Sequence, residues 1–86
     1  MHLKQVRCSE IAPDPKSDGY RPHEVEPLAA DIRERGVLRP VLLRPTAQGY
    51  VIVHGERRWR AALMAGLEAI PAFLVQELGQ RDGVAA

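Results

Sequence analysis

Val51-Ile52-Val53-His54-Gly55-Glu56-Arg57-Arg58-Trp59-Arg60-Ala61-Ala62-Leu63-Met64-Ala65-Gly66 is the stretch that decides how this chain folds. Its β-branched opening reads as a strand, with Tyr50 to Val53 as the strand proper. Gly55 then breaks the pattern. From Glu56 the apolar positions Trp59, Ala62, Leu63 and Gly66 fall at the i, i+3, i+4, i+7 spacing of a buried helix face, which predicts a helix over 56–66. Three physical features converge at the junction. Gly55 lets the backbone turn sharply and approach a ligand closely. The first helical N–H groups lack partners and the helix dipole is positive there, so an anion is favoured. Arg57 and Arg58 add guanidinium forks that match phosphate oxygens. With Trp59, Ala62, Leu63 and Gly66 inward, Arg57 and Arg60 lie toward solvent and Arg58 on a flank. The residue types alone also allow a plainer reading, an ordinary solvated helix face with Glu56 simply favourable at an N-terminus.

Upstream, Val41 to Arg44 reads as a strand that pairs with Tyr50 to Val53 through a five-residue hairpin loop, Pro45 to Gly49. From His23 the period is helical: Val25, Leu28, Ala29 and Ile32 share one face. Pro27 is tolerable in the opening turn, and Gly36, preceded by Arg33 and Arg35, is a natural stop. Ala12 to Pro22 is a loop, since Pro13, Pro15, Gly19 and Pro22 cannot share a regular element. Leu3 to Ile11 alternates partially at Leu3, Val6, Cys8 and Ile11 and reads as one strand. Downstream, Ile70 to Val75 is the last strand, with Pro71 suggesting a sheet edge or a strand start. The order strand, helix, strand, strand, helix, strand predicts a small α+β sandwich, two helices covering a mostly antiparallel or mixed sheet. The domain is expected over 1–76, with polar 77–86 as a flexible tail.

Composition bounds the function. At 86 residues the chain holds one domain, and 45% hydrophobic with 27% charged residues is a globular balance. A net charge of +1 makes no global case for binding a polyanion, so any such case rests on local clustering. A single cysteine, Cys8, excludes an internal disulfide and reads as a packed thiol. With no signal peptide and no apolar run of membrane-spanning length, the expected location is the cytoplasm.

His54-Gly55-Glu56-Arg57-Arg58-Trp59-Arg60-Ala61-Ala62 resembles the Gly-Glu-Arg-Arg-x-Arg-Ala signature of ParB-family N-terminal domains, which share a fold with sulfiredoxin. The likeness extends to Leu28-Ala29-Ala30-Asp31-Ile32-Arg33-Glu34-Arg35-Gly36 and the strand after it, to Gly49–Val53 and to Ala65–Ala72, covering nearly all of 3–76. In that family the signature holds the triphosphate of CTP, and nucleotide binding switches a DNA-bound clamp used in chromosome and plasmid partition. The resemblance therefore implies nucleotide or phosphate binding by Gly55, Glu56, Arg57, Arg58 and Arg60, with Lys16 and His54 as accessory residues. It implies CTP or another nucleoside triphosphate as ligand, and the DNA backbone or a partition protein as further partners. Where the family carries a Gln-Pro-Arg loop element, this sequence has Asp14-Pro15-Lys16-Ser17, and lysine offers a point charge rather than a fork. The family's Glu-Asn segment and its helix-turn-helix have no counterpart up to Ala86, so neither a complete magnesium site nor reading of a partition sequence is expected of these residues.

Other classes fit less well. Sulfiredoxin chemistry needs a cysteine where this chain has Glu56, and a carboxylate cannot form the sulfur intermediate. A phosphotransferase would need a carboxylate base, with Glu56 and Glu24 as candidates. A nuclease could use His54 and Glu56, but no second acidic cluster accompanies them, and no metal ligands are expected. A non-catalytic DNA- or protein-interaction module stays open beside the nucleotide site.

Overall fold

The N-terminal segment expected as a single strand is divided in two. In the computed structural model, which describes residues 3–36 and 39–75, Leu3–Arg7 forms β1 and Ile11–Ala12 forms β2. One turn of 3-10 helix, Cys8–Glu10, separates them. The chain continues through α1 (Pro22–Arg35), β3 (Val41–Thr46), β4 (Gly49–His54), α2 (Glu56–Ala65) and β5 (Ala69–Leu74). The expected tail at 77–86, and Gln76 before it, lie outside the described residues.

Sheet order explains the division. The five strands run β1-β5-β3-β4-β2, so β1 and β2 occupy opposite edges. β1 pairs antiparallel with β5, and β2 pairs parallel with β4. No straight strand can serve both edges. The 3-10 turn spans at most about 10 Å, so the sheet must curl until its two edges approach each other. The sheet is mixed: β3 runs antiparallel to β4, with a bulge between Leu42 and Leu43, and parallel to β5.

Two prolines sit where this register tolerates them. The hairpin loop is shorter than expected, because Thr46 pairs with Gly49 and only Ala47 and Gln48 turn the chain. Pro45 is thus a strand residue opposite Tyr50, beyond Leu43, where the β3–β5 pairing ends. Pro71 lies in an interior strand rather than an edge one. It pairs with Gln5 of β1, whereas β3 joins β5 only from Ala72. Each proline therefore has a strand partner on one side only, where its missing donor need not break a second ladder.

The curled sheet encloses Val6, Cys8, Ile11, Val41, Leu43, Ile52, Ile70, Ala72 and Leu74, and α2 closes it with Trp59 and Ala62. The indole Nε1 donates to the Cys8 carbonyl at 3.2 Å, which satisfies the buried N–H. Burial pushes the Cys8 thiol pKa above its ordinary value. α1 packs mainly against α2, burying Val25, Ala29 and Ile32 against Ala61. That second contact corrects the expected phase of α2. Trp59 is buried as expected, but Leu63 is 45% exposed. With helical residues turning about 100° apart, the buried arc runs from Trp59 through Ala62 to Ala61, and Leu63 falls outside it, on the Trp59 side away from Ala61.

Candidate anion-binding cleft

β4 delivers His54 to the rim of the sheet, and Gly55 turns the chain with φ 99° and ψ 25° before α2 begins at Glu56. This left-handed conformation favours glycine, and the surroundings demand it as well. A Cβ at position 55 would lie 2.9 Å from Val41 Cγ1 and 3.0 Å from Arg58 Nη1. The first bond of the helix is Trp59 N–H to the Gly55 carbonyl at 3.1 Å. No side chain caps this end. Among the described residues, the N–H groups of Glu56, Arg57 and Arg58 have no hydrogen-bond partner, so three donors and the positive end of the dipole open onto the space in front of them.

That space is a cleft of about 500 Å³ between the loop before α1 and the β4–α2 junction. Asp14, Lys16, Ser17 and Tyr20 line one side, Leu28 comes from α1, and Ile52 through Arg58 line the other. Of the residues singled out from the sequence, Gly55, Glu56, Arg57, Arg58, Lys16 and His54 all face it. Arg60 is not among its lining residues.

The three arginines differ in what already holds them. Arg57 is exposed, and its Nε donates to the Glu24 carbonyl at 2.9 Å, which leaves both Nη groups free to fork around an anion. Arg58 lies on the half-buried flank; its Nη1 donates to the Pro40 carbonyl at 3.3 Å, which steadies the guanidinium at the cleft floor. Arg60 is held by other groups. Its Nε bonds Glu56 Oε2 at 2.8 Å, and its guanidinium stands 5.4 Å from the Trp59 ring centroid. Glu56, 10% exposed, accepts a second hydrogen bond at the same oxygen, from Ser17 Oγ at 2.7 Å. Its charge is therefore offset by Arg60 beside a site that favours anions.

Asp14, Ser17, Tyr20 and Leu28 were missed by reading the sequence. Leu28 reads as core by period, and the loop residues acquire a role only through proximity to α2. Among the described residues no group of three or more His, Cys, Asp or Glu side chains could hold a metal ion. No helix among them is long and apolar enough to cross a membrane.

A profile described as the ParB N-terminal domain matches residues 1–86. The chain is 42% identical over 82 residues to a probable chromosome 1-partitioning protein ParB of Deinococcus radiodurans, covering 95% of this chain and 28% of that protein. It thus spans less than a third of that relative's length. The crystal structure of a C-terminally truncated chromosome-partitioning protein ParB from Caulobacter crescentus, complexed with CTP-gamma-S, superposes with a TM-score of 0.78 at 36% identity. That match covers all of this chain and 54% of the other. The same truncated protein complexed to the centromeric parS site matches with a TM-score of 0.74 at 38% identity, over 94% of this chain and 48% of that one. Sulfiredoxin from Arabidopsis thaliana matches with a TM-score of 0.72 over 86% of this chain and 84% of that one, at 20% identity, a likeness of fold alone.

Proposed function

Since this chain belongs to the ParB N-terminal domain family, we propose that its cleft binds the phosphates of a nucleoside triphosphate, with CTP first, as the nucleotide-responsive part of a DNA-partition or DNA-linked regulatory protein. The observation that carries the reading is the open start of α2. Three unpartnered N–H groups follow Gly55 and face the same cleft as Lys16, Arg57 and Arg58. Backbone donors fix the position of an anion, and the guanidinium groups add charge-assisted bonds to it. The Caulobacter relative complexed with CTP-gamma-S supports the choice of nucleotide. The same relative complexed to parS supports a DNA-linked role for a longer protein built on this domain.

Arg57 and Arg58 are the phosphate residues in this reading. Glu56 and Arg60 are occupied with each other and act on the ligand only through the architecture. Affinity should be weak, in the range of about tens of micromolar to millimolar, or roughly 4–6 kcal/mol. Calorimetry at low salt with CTP, ATP, GTP, UTP and short duplex DNA tests it. Arg57→Ala and Arg58→Ala should each weaken CTP binding about tenfold or more, the worth of a charge-assisted bond. Arg58→Lys should recover part of that loss, because it keeps the charge but not the fork. A wild type that binds none of these ligands, or binds them regardless of both arginines, rejects the phosphate site. Binding of DNA alone would transfer the surface to the interaction-module reading.

A further inference from the structure

The loop before α1 forms one wall of the cleft, yet it has little to hold it there. Pro13, Asp14, Pro15, Lys16, Asp18 and Tyr20 are exposed, and only Ser17 and Gly19 are half-buried. Among the described residues, a single hydrogen bond ties residues 13–20 to the rest of the chain. It runs from Ser17 Oγ to Glu56 Oε2, at 2.7 Å. We propose that Ser17 is a positioning residue: its hydroxyl fastens this loop to α2 through Glu56 and so holds Lys16 at the mouth of the anion cleft.

The geometry runs in one chain of contacts. Asp14 folds the loop on itself, its Oδ1 accepting the Lys16 N–H at 2.9 Å and its carbonyl accepting the Ser17 N–H at 2.9 Å. Ser17 Oγ accepts the Gly19 N–H at 3.0 Å while donating its proton to Glu56. The hydroxyl thus uses its one donor across the gap and an acceptor within the loop. On the far side, Glu56 is held by Arg60, and Arg60 lies against the buried Trp59 ring. The core therefore reaches the loop through Trp59, Arg60, Glu56 and Ser17 in turn. An alanine at 17 removes both of the hydroxyl's bonds while leaving the backbone turn at Asp14 intact. Glu56 gains a role distinct from phosphate ligation, since an acidic side chain in the first turn would repel the anion were it not committed to Arg60 and Ser17.

This inference rests on the phosphate reading above, and two readouts keep them apart. Solvent-exchange NMR on the ligand-free protein reports the latch itself. Glu56→Ala, which removes the acceptor across the gap but leaves the Ser17–Gly19 bond in place, should speed exchange of the Gly19 amide about tenfold or more while Ile70, in the core, stays unchanged. CTP titration reports the consequence. Ser17→Ala and Lys16→Ala should each lower affinity about three- to tenfold, and the double variant should lose little more than Lys16→Ala alone, because residues acting through one another are not additive. Ser17→Thr, which keeps the hydroxyl, should match the wild type in both readouts. Unchanged Gly19 exchange in Glu56→Ala overturns the latch whatever the nucleotide does. Fully additive losses overturn positioning through Lys16. A wild type that binds no nucleoside triphosphate overturns the phosphate reading and the positioning role built on it, while the exchange rates still decide whether the latch exists.

Discussion

At the scale of single residues the junction is governed by Gly55. The sequence pointed to it because a glycine between a strand pattern and a helix pattern is where the backbone must turn. The structure adds a second reason, the crowding of a Cβ by Val41 Cγ1 at 2.9 Å. Gly55→Ala therefore combines a left-handed φ with a clash against core, and should cost about 1–3 kcal/mol. Urea denaturation of the variant measures it, and a loss under about 0.5 kcal/mol would mean that the junction relaxes easily. Arg57 and Arg58 were legible as cleft residues because they occupy the first turn. Arg60 sits a full turn further along and so further from the anion, but helical phase gives its direction and not its partners. Its pairing with Glu56 at i, i+4 is a regular helix pattern; its contact with Trp59 and the attachment of Ser17 to the same carboxylate depend on tertiary placement.

At the scale of elements, α2 carries the fold and α1 decides how it is turned. Both helices and the strands from Val41 onward were readable from period, within a residue or two at their ends. What could not be read was which faces are buried twice. Ala61 is small enough to look neutral in a sequence, yet it is fully buried against α1, which pulls the interior arc away from Leu63. The contrast is measurable. Trp59→Ala should cost about 3–5 kcal/mol, and Leu63→Ala, at a half-exposed site, about 1 kcal/mol or less. Equal losses in thermal or chemical unfolding would restore the expected phase. The split of Leu3–Ile11 was equally hidden, since alternation is a local pattern and the reason to break it is a change of partner from β5 to β4. Cys8, placed in the turn between, is 3% exposed and its thiol pKa is raised by burial. The sign follows from linkage. The unfolded chain ionises first as pH rises, so the contribution of the protonated thiol to stability is present below the ordinary thiol range and is lost as pH climbs through the folded pKa. Alkylation of Cys8 should accordingly be slower in the folded protein than in urea by about tenfold or more, and equal rates would show that the turn opens freely.

For the molecule as a whole, the net charge of +1 and the character of the cleft point in different directions. A nearly neutral protein has little long-range field to attract an anion, so binding must depend on charges brought together by folding: Lys16 from the loop, Arg57 and Arg58 from α2, and the open N–H groups after Gly55. Glu56 does not cancel them, because Arg60 offsets it. The curl of the sheet matters here, since bringing β2 beside β4 starts the following loop next to the β4–α2 junction. A local cluster of this kind acts at short range. Its pull on a triphosphate should be strong within about 10 Å and weakened by salt, whose screening length at 0.1 M is of that order. The dependence should also scale with ligand charge. Raising NaCl from about 0.02 M to about 0.2 M should weaken CTP several-fold and CMP much less, because fewer charge contacts are screened for the monophosphate. Titrations of CTP, CDP and CMP at both salt concentrations provide the comparison. A graded loss from CTP to CMP locates recognition at the phosphates. Equal salt response across the three would locate it at the base or sugar, and would leave Arg57 and Arg58 as a solvated helix face.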